Sequence, residues 1–313
     1  MLFVTFHGGH PGKHPHRNNV HAYDKEGRLI TPAVLEQPGG VLLDELRGIY
    51  RVGKLLYVAV ANRTQNSLLC YRGSGTQYRF VGRFASREIC RAIVHPFDFT
   101  FDARGFCYLS SQDTNLVTRL RVSADGETGT PAAIAPALRA RGDFAPGTFV
   151  ASSVGRLCRL PTTAVPSPIG LEYSGTGLKK HSVRGVVWVN RALYVVDEPA
   201  SRVKLYSGAG KFLGESNEID QPVHLAVHHG SLFVSGGNRV FTAKLSNPPG
   251  NFRLAAIAGL RVKNGGGMAF SKKGRLYIAS RTERKILKFD SDFRPLPFGC
   301  HNLPDDPEFL LHL

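Results

Sequence analysis

One short pattern returns along the whole chain: an apolar strand that closes on Leu-aromatic-Val or a near relative. It reads LFVTF from Leu2, LLYVAV from Leu55, FCYLSS from Phe106 and RLCRLP from Arg156. It returns as ALYVVD from Ala192, SLFVSG from Ser231 and RLYIAS from Arg275. Successive copies start roughly 36 to 54 residues apart, the period of propeller blades and solenoid units. A unit of that size cannot bury its own apolar strand, so the copies must pack against one another.

Each copy has the same neighbours. A leading strand and tight turn precede it, as in LRGIYRVGK, HPFDFTFDARG, VRGVVWVNR, QPVHLAVHHG and GGGMAFSKKG. A polar loop and a third strand follow, as in LLCYR, RVKLYS and KILKFD, and several copies add a fourth short strand. Short strands bounded by regular turn signals give an all-β chain. Four strands in a unit of about 40 residues give a β-propeller. The first copy lacks its leading strand, and PEFLLHL at the end of the sequence supplies it. Pairing of the N- and C-terminal strands then closes the ring and protects its edges. The expectation is one seven-bladed propeller over residues 1–313. Six blades is the alternative, in which residues 137–180 form an irregular insertion.

The unit "Pro-x-x-apolar-x-apolar, turn with Gly, LYV, polar loop, strand" resembles the NHL-repeat propellers. It is also similar to the wider group of gluconolactonase-type, strictosidine-synthase-type and virginiamycin-B-lyase-type proteins. The resemblance covers nearly the whole chain and implies the propeller fold. The lyase's repeated Trp-Phe-Thr-Glu signature is absent, and the single Trp188 lies in a leading strand. No residues match the metal-binding Glu and Asn-Asp set of the gluconolactonase type, so the chemistry is not carried over.

Composition narrows the partners. The formal charge is +16, with 40 Lys and Arg against 24 Asp and Glu. Such a field attracts anions. The cations are spread along the whole chain, with no basic tail, basic helix or RNP-type signature, so nucleic acid is not the expected partner. No apolar run approaches the ~20 residues that span a bilayer, so no membrane is expected. Five cysteines are an odd number without CxxC spacing, which reads as free thiols rather than a disulfide framework. MLFVTF reads as a strand rather than a leader. These features give a cytoplasmic protein, monomeric or weakly oligomeric. Three motifs are decoys. YSGAGKFLG connects two strands and is a hairpin turn, while Arg141-Gly142-Asp143 and the sequon at Asn62 both need an extracytoplasmic setting.

In a propeller the leading strands open, and the second strands end, at one mouth of the central channel, which makes that mouth the default site. The strand openings offer Arg47, Asp98, Arg184, His224 and the Gly265–Gly267 run. The loops offer His7 and the segment to Arg17, Asn62, Arg63, Gln112 and Asp113. Later loops add Asp197, Glu198, Asn238 and Arg281. Arg47-Gly48 and Arg184-Gly185 occupy equivalent places in two blades, and guanidinium forks suit carboxylates or phosphates. The alternative is that these arginines pair with acidic neighbours and pin blades together. His224 and a carboxylate among Asp98, Asp197 and Glu198 suit proton transfer, and a packing role for His224 is the other reading.

FHGGHPGKHPHR near the N-terminus gives His10, His14 and His16 a His-x3-His-x-His spacing. That spacing fits a divalent metal, a substrate-contacting loop or a solvated loop, so the cofactor expectation is none, or one divalent ion. The functional expectation is an enzyme acting at the mouth on a small anionic molecule, by lyase, cyclase or hydrolase chemistry. The alternative is a binding module for a protein, glycan or polyanion.

Overall fold

The computed structural model describes residues 1–8, 18–62, 65–90, 93–113, 116–132, 148–153, 156–158, 183–198, 200–208 and 210–313. These residues form strands and turns only, arranged as six sheets. Blade 1 contains β1 (Leu2–Phe6), β2 (His21–Tyr23) and β3 (Leu29–Thr31). Blade 2 is β4 (Leu46–Val52), β5 (Leu55–Val60), β6 (Ser67–Ser74) and β7 (Gln77–Ser86). Blade 3 is β8 (Pro96–Phe101), β9 (Phe106–Ser111) and β10 (Leu116–Val122), with β11 (Gly129–Pro131), β12 (Thr148–Ser153) and β13 (Arg156–Cys158) on its outer side.

Blade 4 is β14 (Val183–Val189), β15 (Ala192–Asp197), β16 (Arg202–Ser207) and β17 (Phe212–Glu215). Blade 5 is β18 (Pro222–His228), β19 (Ser231–Gly236), β20 (Arg239–Lys244) and β21 (Ala255–Arg261). Blade 6 is β22 (Gly265–Phe270), β23 (Leu276–Ser280), β24 (Lys285–Phe289) and β25 (Pro295–Leu296). Last, β26 (Pro307–His312) pairs antiparallel with β1, Leu2 opposite His312 and Val4 opposite Leu310, and so becomes the inner strand of blade 1. Closure by the two terminal strands is therefore as expected.

The expected count of seven blades is corrected to six, the stated alternative. The copy at Arg156 founds no blade. β13 pairs with β12, and β12 runs parallel to β10, so this segment extends the outside of blade 3. The leading strand β14 packs directly on β8, and Val183, Val186 and Leu193 of blade 4 share one apolar cluster with Phe106, Tyr108 and Val117 of blade 3. That seam leaves no room for a sheet between them. Six such clusters occupy six seams, one between each pair of neighbouring blades. Because every second strand is covered on both faces, its apolar run is continuous: β5, β9, β15 and β19 are buried at every residue.

Candidate functional site at the channel mouth

The six leading strands share one irregularity. Each carries a register shift near its start: Leu46/Ile49 in β4, Pro96/Phe99 in β8, Val183/Val186 in β14, Pro222/His224 in β18 and Gly265/Met268 in β22. In blade 1 the shift lies where β26 passes Val4 and Phe6 of β1. A bulge places two residues opposite one and re-aims side chains, a device common beside sites. In ring order the first bulge residues are Glu308, Arg47, Phe97, Arg184, Val223 and Gly266, and the next are Phe309, Gly48, Asp98, Gly185, His224 and Gly267.

The second tier alternates glycine with a bulky side chain, for a steric reason. A Cβ on Gly48 would meet the backbone of Phe97 and Asp98, one on Gly185 the backbone of His224, and one on Gly267 the backbone of Phe309. Three seams are thus too close for side chains on both sides. The three bulky residues converge. His224 packs edge-on against Phe309 at 5.1 Å, and its Nε2 stands 4.0 Å from Asp98 Oδ2. Each polar member also latches the next blade. The Val186 amide donates to Asp98 Oδ2 at 3.0 Å, and the Met268 amide donates to His224 Nδ1 at 3.1 Å. The Nδ1 lone pair is thereby engaged, so the imidazole proton sits on Nε2, facing Asp98. Burial pushes His224 down to about 3 and holds it neutral. Burial likewise pushes Asp98 up to about 7, against the amides of Val186 and Phe99 that favour its charged form.

The first tier is polar. Three arginines reach it from alternate blades: Arg47 from blade 2, Arg184 from blade 4, and Arg281 from the end of β23 in blade 6. Arg281 stands where Gly266 leaves space, since a Cβ on Gly266 would touch its Cγ and Cδ at 3.2 Å. Glu308 is the acid among them, 2.5 Å from Arg281 Nη2 and 3.9 Å from Arg47 Nη1. Burial alone would raise the Glu308 pKa; Arg281 and Arg47 outweigh it and hold the carboxyl below the usual range. Arg47 is fully enclosed, and burial lowers its pKa against the pull of Glu308 and Glu45. It donates to the His7 carbonyl at 2.9 Å. Arg184 donates through Nε to Glu198 at 2.6 Å, with its guanidinium 5.1 Å above the Phe97 ring. Phe97 in turn meets Phe309 at 5.0 Å, an aromatic contact that joins the two tiers.

The remaining expected residues have local partners. Asp197 is buried and ion-paired to Lys204 at 2.7 Å, an intra-blade contact that burial still leaves with a raised pKa. The Asn62 amide donates to Leu42 O and its carbonyl accepts from Gln65 N, closing the loop after β5. The Gln112 backbone amide donates to His95 O; Asp113 is exposed near His95; and exposed Asn238 accepts from the Asn264 amide. His10, His14, His16 and Arg63 lie outside the described residues. Sequence reading missed Glu308, Phe97, Phe309 and Glu45. The signal for the first three was present: Pro307-Glu308-Phe309 matches Pro96-Phe97-Asp98 and Pro222-Val223-His224 in register.

No protein-family model matches the sequence, and no curated protein matches it. Solved structures do. A chain of a nidogen/laminin complex superposes with a TM-score of 0.57 at 12% identity, covering 99% of this chain and 96% of that one. A Lactobacillus plantarum protein gives a TM-score of 0.57 at 11% identity, covering 96% and 81%. The gluconolactonase of Xanthomonas campestris gives 0.53 at 15% identity, covering 84% and 78%. At such identities what this chain shares with them is the fold: it is a six-bladed β-propeller whose resemblance to the gluconolactonase-type group is one of architecture.

Proposed function

We propose that the channel mouth binds a small molecule bearing a carboxylate or similar planar anion, held by Arg184 and Arg281 with Arg47 behind them. One observation carries this reading. Three guanidinium groups from alternate blades face one mouth, yet among the described residues the terminal nitrogens of Arg184 make no hydrogen bond and the buried Arg281 Nε has no partner. A buried donor left unpaired costs about 1–3 kcal/mol, a penalty that a ligand oxygen would remove. Guanidinium forks suit planar oxyanions better than ammonium groups do. Glu308 and Glu198 fix the arginines, so the site is held ready before a ligand arrives.

A second, enzymatic reading rests on Asp98. A carboxyl pushed up to about 7 and set beside the neutral Nε2–H of His224 suits proton transfer near neutral pH, as lyase, cyclase or hydrolase chemistry requires. Against it stand the backbone latches that both groups already make.

Calorimetric titration with malonate, succinate and inorganic phosphate tests the binding reading. The wild type should bind a dicarboxylate, and Arg281→Gln and Arg184→Gln should each weaken it about tenfold or more. Arg184→Gln should melt close to the wild type, whereas Arg281→Gln should also melt lower, because it takes from buried Glu308 its nearest cation. Binding unchanged in both variants, or no binding by any of the three anions, overturns the reading.

A further inference from the structure

Charge is divided between the two ends of the propeller. At the mouth the cations nearest the channel have acidic partners: Arg47 and Arg281 with Glu308, Arg184 with Glu198, Lys263 with Glu283, and Arg284 with Asp306. Exposed Arg87, Arg239 and Arg261, on or just past the outer strands, make no ion pair among the described residues. The opposite end is different. Its inner rim consists of the turns between the first two strands of blades 2 to 6, at 51–54, 102–105, 190–191, 228–230 and 271–275. These turns carry Arg51, Lys54, Arg104, Arg191, Lys272, Lys273 and Arg275, all exposed. Their one acid is Asp102, whose buried carboxylate is bonded to Arg104. The other six cations make no ion pair among the described residues. Acids at this end lie in the outer turns, some beside a cation, as in Asp24 with Arg28 and Asp292 with Arg294. Others, Asp125 and Asp290, accept from hydroxyl or backbone donors of their own turn.

Exposed apolar side chains lie at the same end, next to those cations. Val52, 47% exposed, stands between Arg51 and Lys54 at a turn, and Phe212, 49% exposed, follows Lys211 where β16 turns into β17. Tyr50 is exposed near the end of β4, and Leu29 and Ile30 follow Arg28. Of the seven large hydrophobics exposed among the described residues, five belong to this end. Neighbouring cation and protruding apolar group is the pattern of a surface that rests in a bilayer interface. The cation meets the headgroup and the apolar group enters the acyl boundary.

We infer that the face opposite the mouth docks on an anionic membrane surface, through Arg51, Lys54, Arg191, Lys272, Lys273 and Arg275, with Val52 and Phe212 entering the interface. Chemistry favours lipid over single-stranded nucleic acid. Stacking of bases needs free aromatic faces, and the rings at this end pack against other rings, half-exposed Tyr50 and Phe212 included. Trp188 stacks on Tyr108 with Arg104 over it, and Phe270 stacks on His228 at 4.4 Å. What protrudes instead is Val52 and the outer half of Phe212. Docked this way, the arginine-lined mouth faces away from the bilayer and stays open to solvent.

Vesicle flotation tests the inference, with phosphatidylcholine vesicles alone and with phosphatidylserine added, at low and raised salt. The protein should float only with the anionic vesicles and be released by salt, because exposed charges are screened over about 10 Å at 0.1 M. The triple variant Arg191→Glu, Lys272→Glu, Lys273→Glu should bind about a hundredfold more weakly. Val52→Ser with Phe212→Ser should lose several-fold at constant charge, whereas Lys263→Glu at the mouth end should change nothing. If the triple variant fails to fold, Gln at the same three positions carries the test. Equal binding to neutral vesicles, retention of binding by the triple variant, or an equal loss in Lys263→Glu overturns the inference. So does tight capture of a single-stranded oligonucleotide by a protein that ignores anionic vesicles.

Discussion

Ring closure can be challenged with a single methyl group at Gly267. An ideal Cβ there lies 2.6 Å from Phe309 Cα, 2.7 Å from Glu308 O and 3.0 Å from Leu310 N. All three are backbone atoms of β26, so no side-chain rotation relieves the overlap, and the seam between blades 6 and 1 must open. Overpacking a tight site costs about 1–3 kcal/mol, and contacts with main chain place Gly267→Ala at the upper end. Gly82 in β7 is the control, since a Cβ there meets nothing within 4 Å. Alanine at a compatible glycine gains about 0.4–1 kcal/mol through the unfolded chain. The two variants should therefore differ by about 3 kcal/mol in equilibrium urea unfolding. Gly185→Ala, with its nearest backbone atoms at 2.9 Å, should fall between them, and Gly48→Ala, at 3.0 Å, should be milder still. If Gly267→Ala unfolds within about 0.5 kcal/mol of Gly82→Ala, the close packing of alternate seams is refuted.

Asp98 has a folded pKa raised by burial to about 7, so its contribution is greatest when protonated and is lost as pH rises from about 4 through 7. The stability of the wild type relative to Asp98→Asn should fall over that window in unfolding curves taken at several pH values; a flat difference would show that the carboxyl ionises freely. Deleting 307–313 removes the inner strand of blade 1, uncovers Phe3 and strands Arg47 beside a missing Glu308, so a cooperative melt should vanish. A normal melt would refute closure by β26. Cys70, Cys90, Cys107 and Cys300 are buried, and burial pushes the thiols of Cys70 and Cys300 up to about 12 and that of Cys107 well above its usual value. A thiol reagent at mild alkaline pH should label these four only on unfolding; rapid labelling of the native protein at any of them contradicts their burial.

Much of the site was legible once the repeat was recognised, because a repeat carries positional information. The equivalence of Arg47 and Arg184 follows from Leu46-Arg47-Gly48 and Val183-Arg184-Gly185 read in one register. Both side chains do lie at the mouth, each ion-paired with an acid. The likeness of Asp98 and His224 follows in the same way. Arg281 was expected in a mouth loop, but its place as the third arginine depends on Gly266 having no side chain. Asp197 and Asn62 shared the mouth-side loops yet turn to local partners, Lys204 and Leu42, because neighbours in space compete for each polar side chain.

The sequence by itself determined the all-β class, the blade period, the strand that closes the ring and the face on which each loop emerges. All of these follow from local alternation of strand and turn, which a chain writes along its own length. Tertiary structure decided the rest. The segment around Arg156 has a strand's pattern, but whether a strand founds a blade depends on room between its neighbours, and the packing of β14 on β8 leaves none. The latches from Val186 to Asp98 and from Met268 to His224 span 88 and 44 residues. The cations, dispersed along the sequence, gather on one rim only because five separate turns are brought to the same end of the ring. Contacts between blades join residues that are neighbours in no stretch of sequence, so no local pattern encodes them.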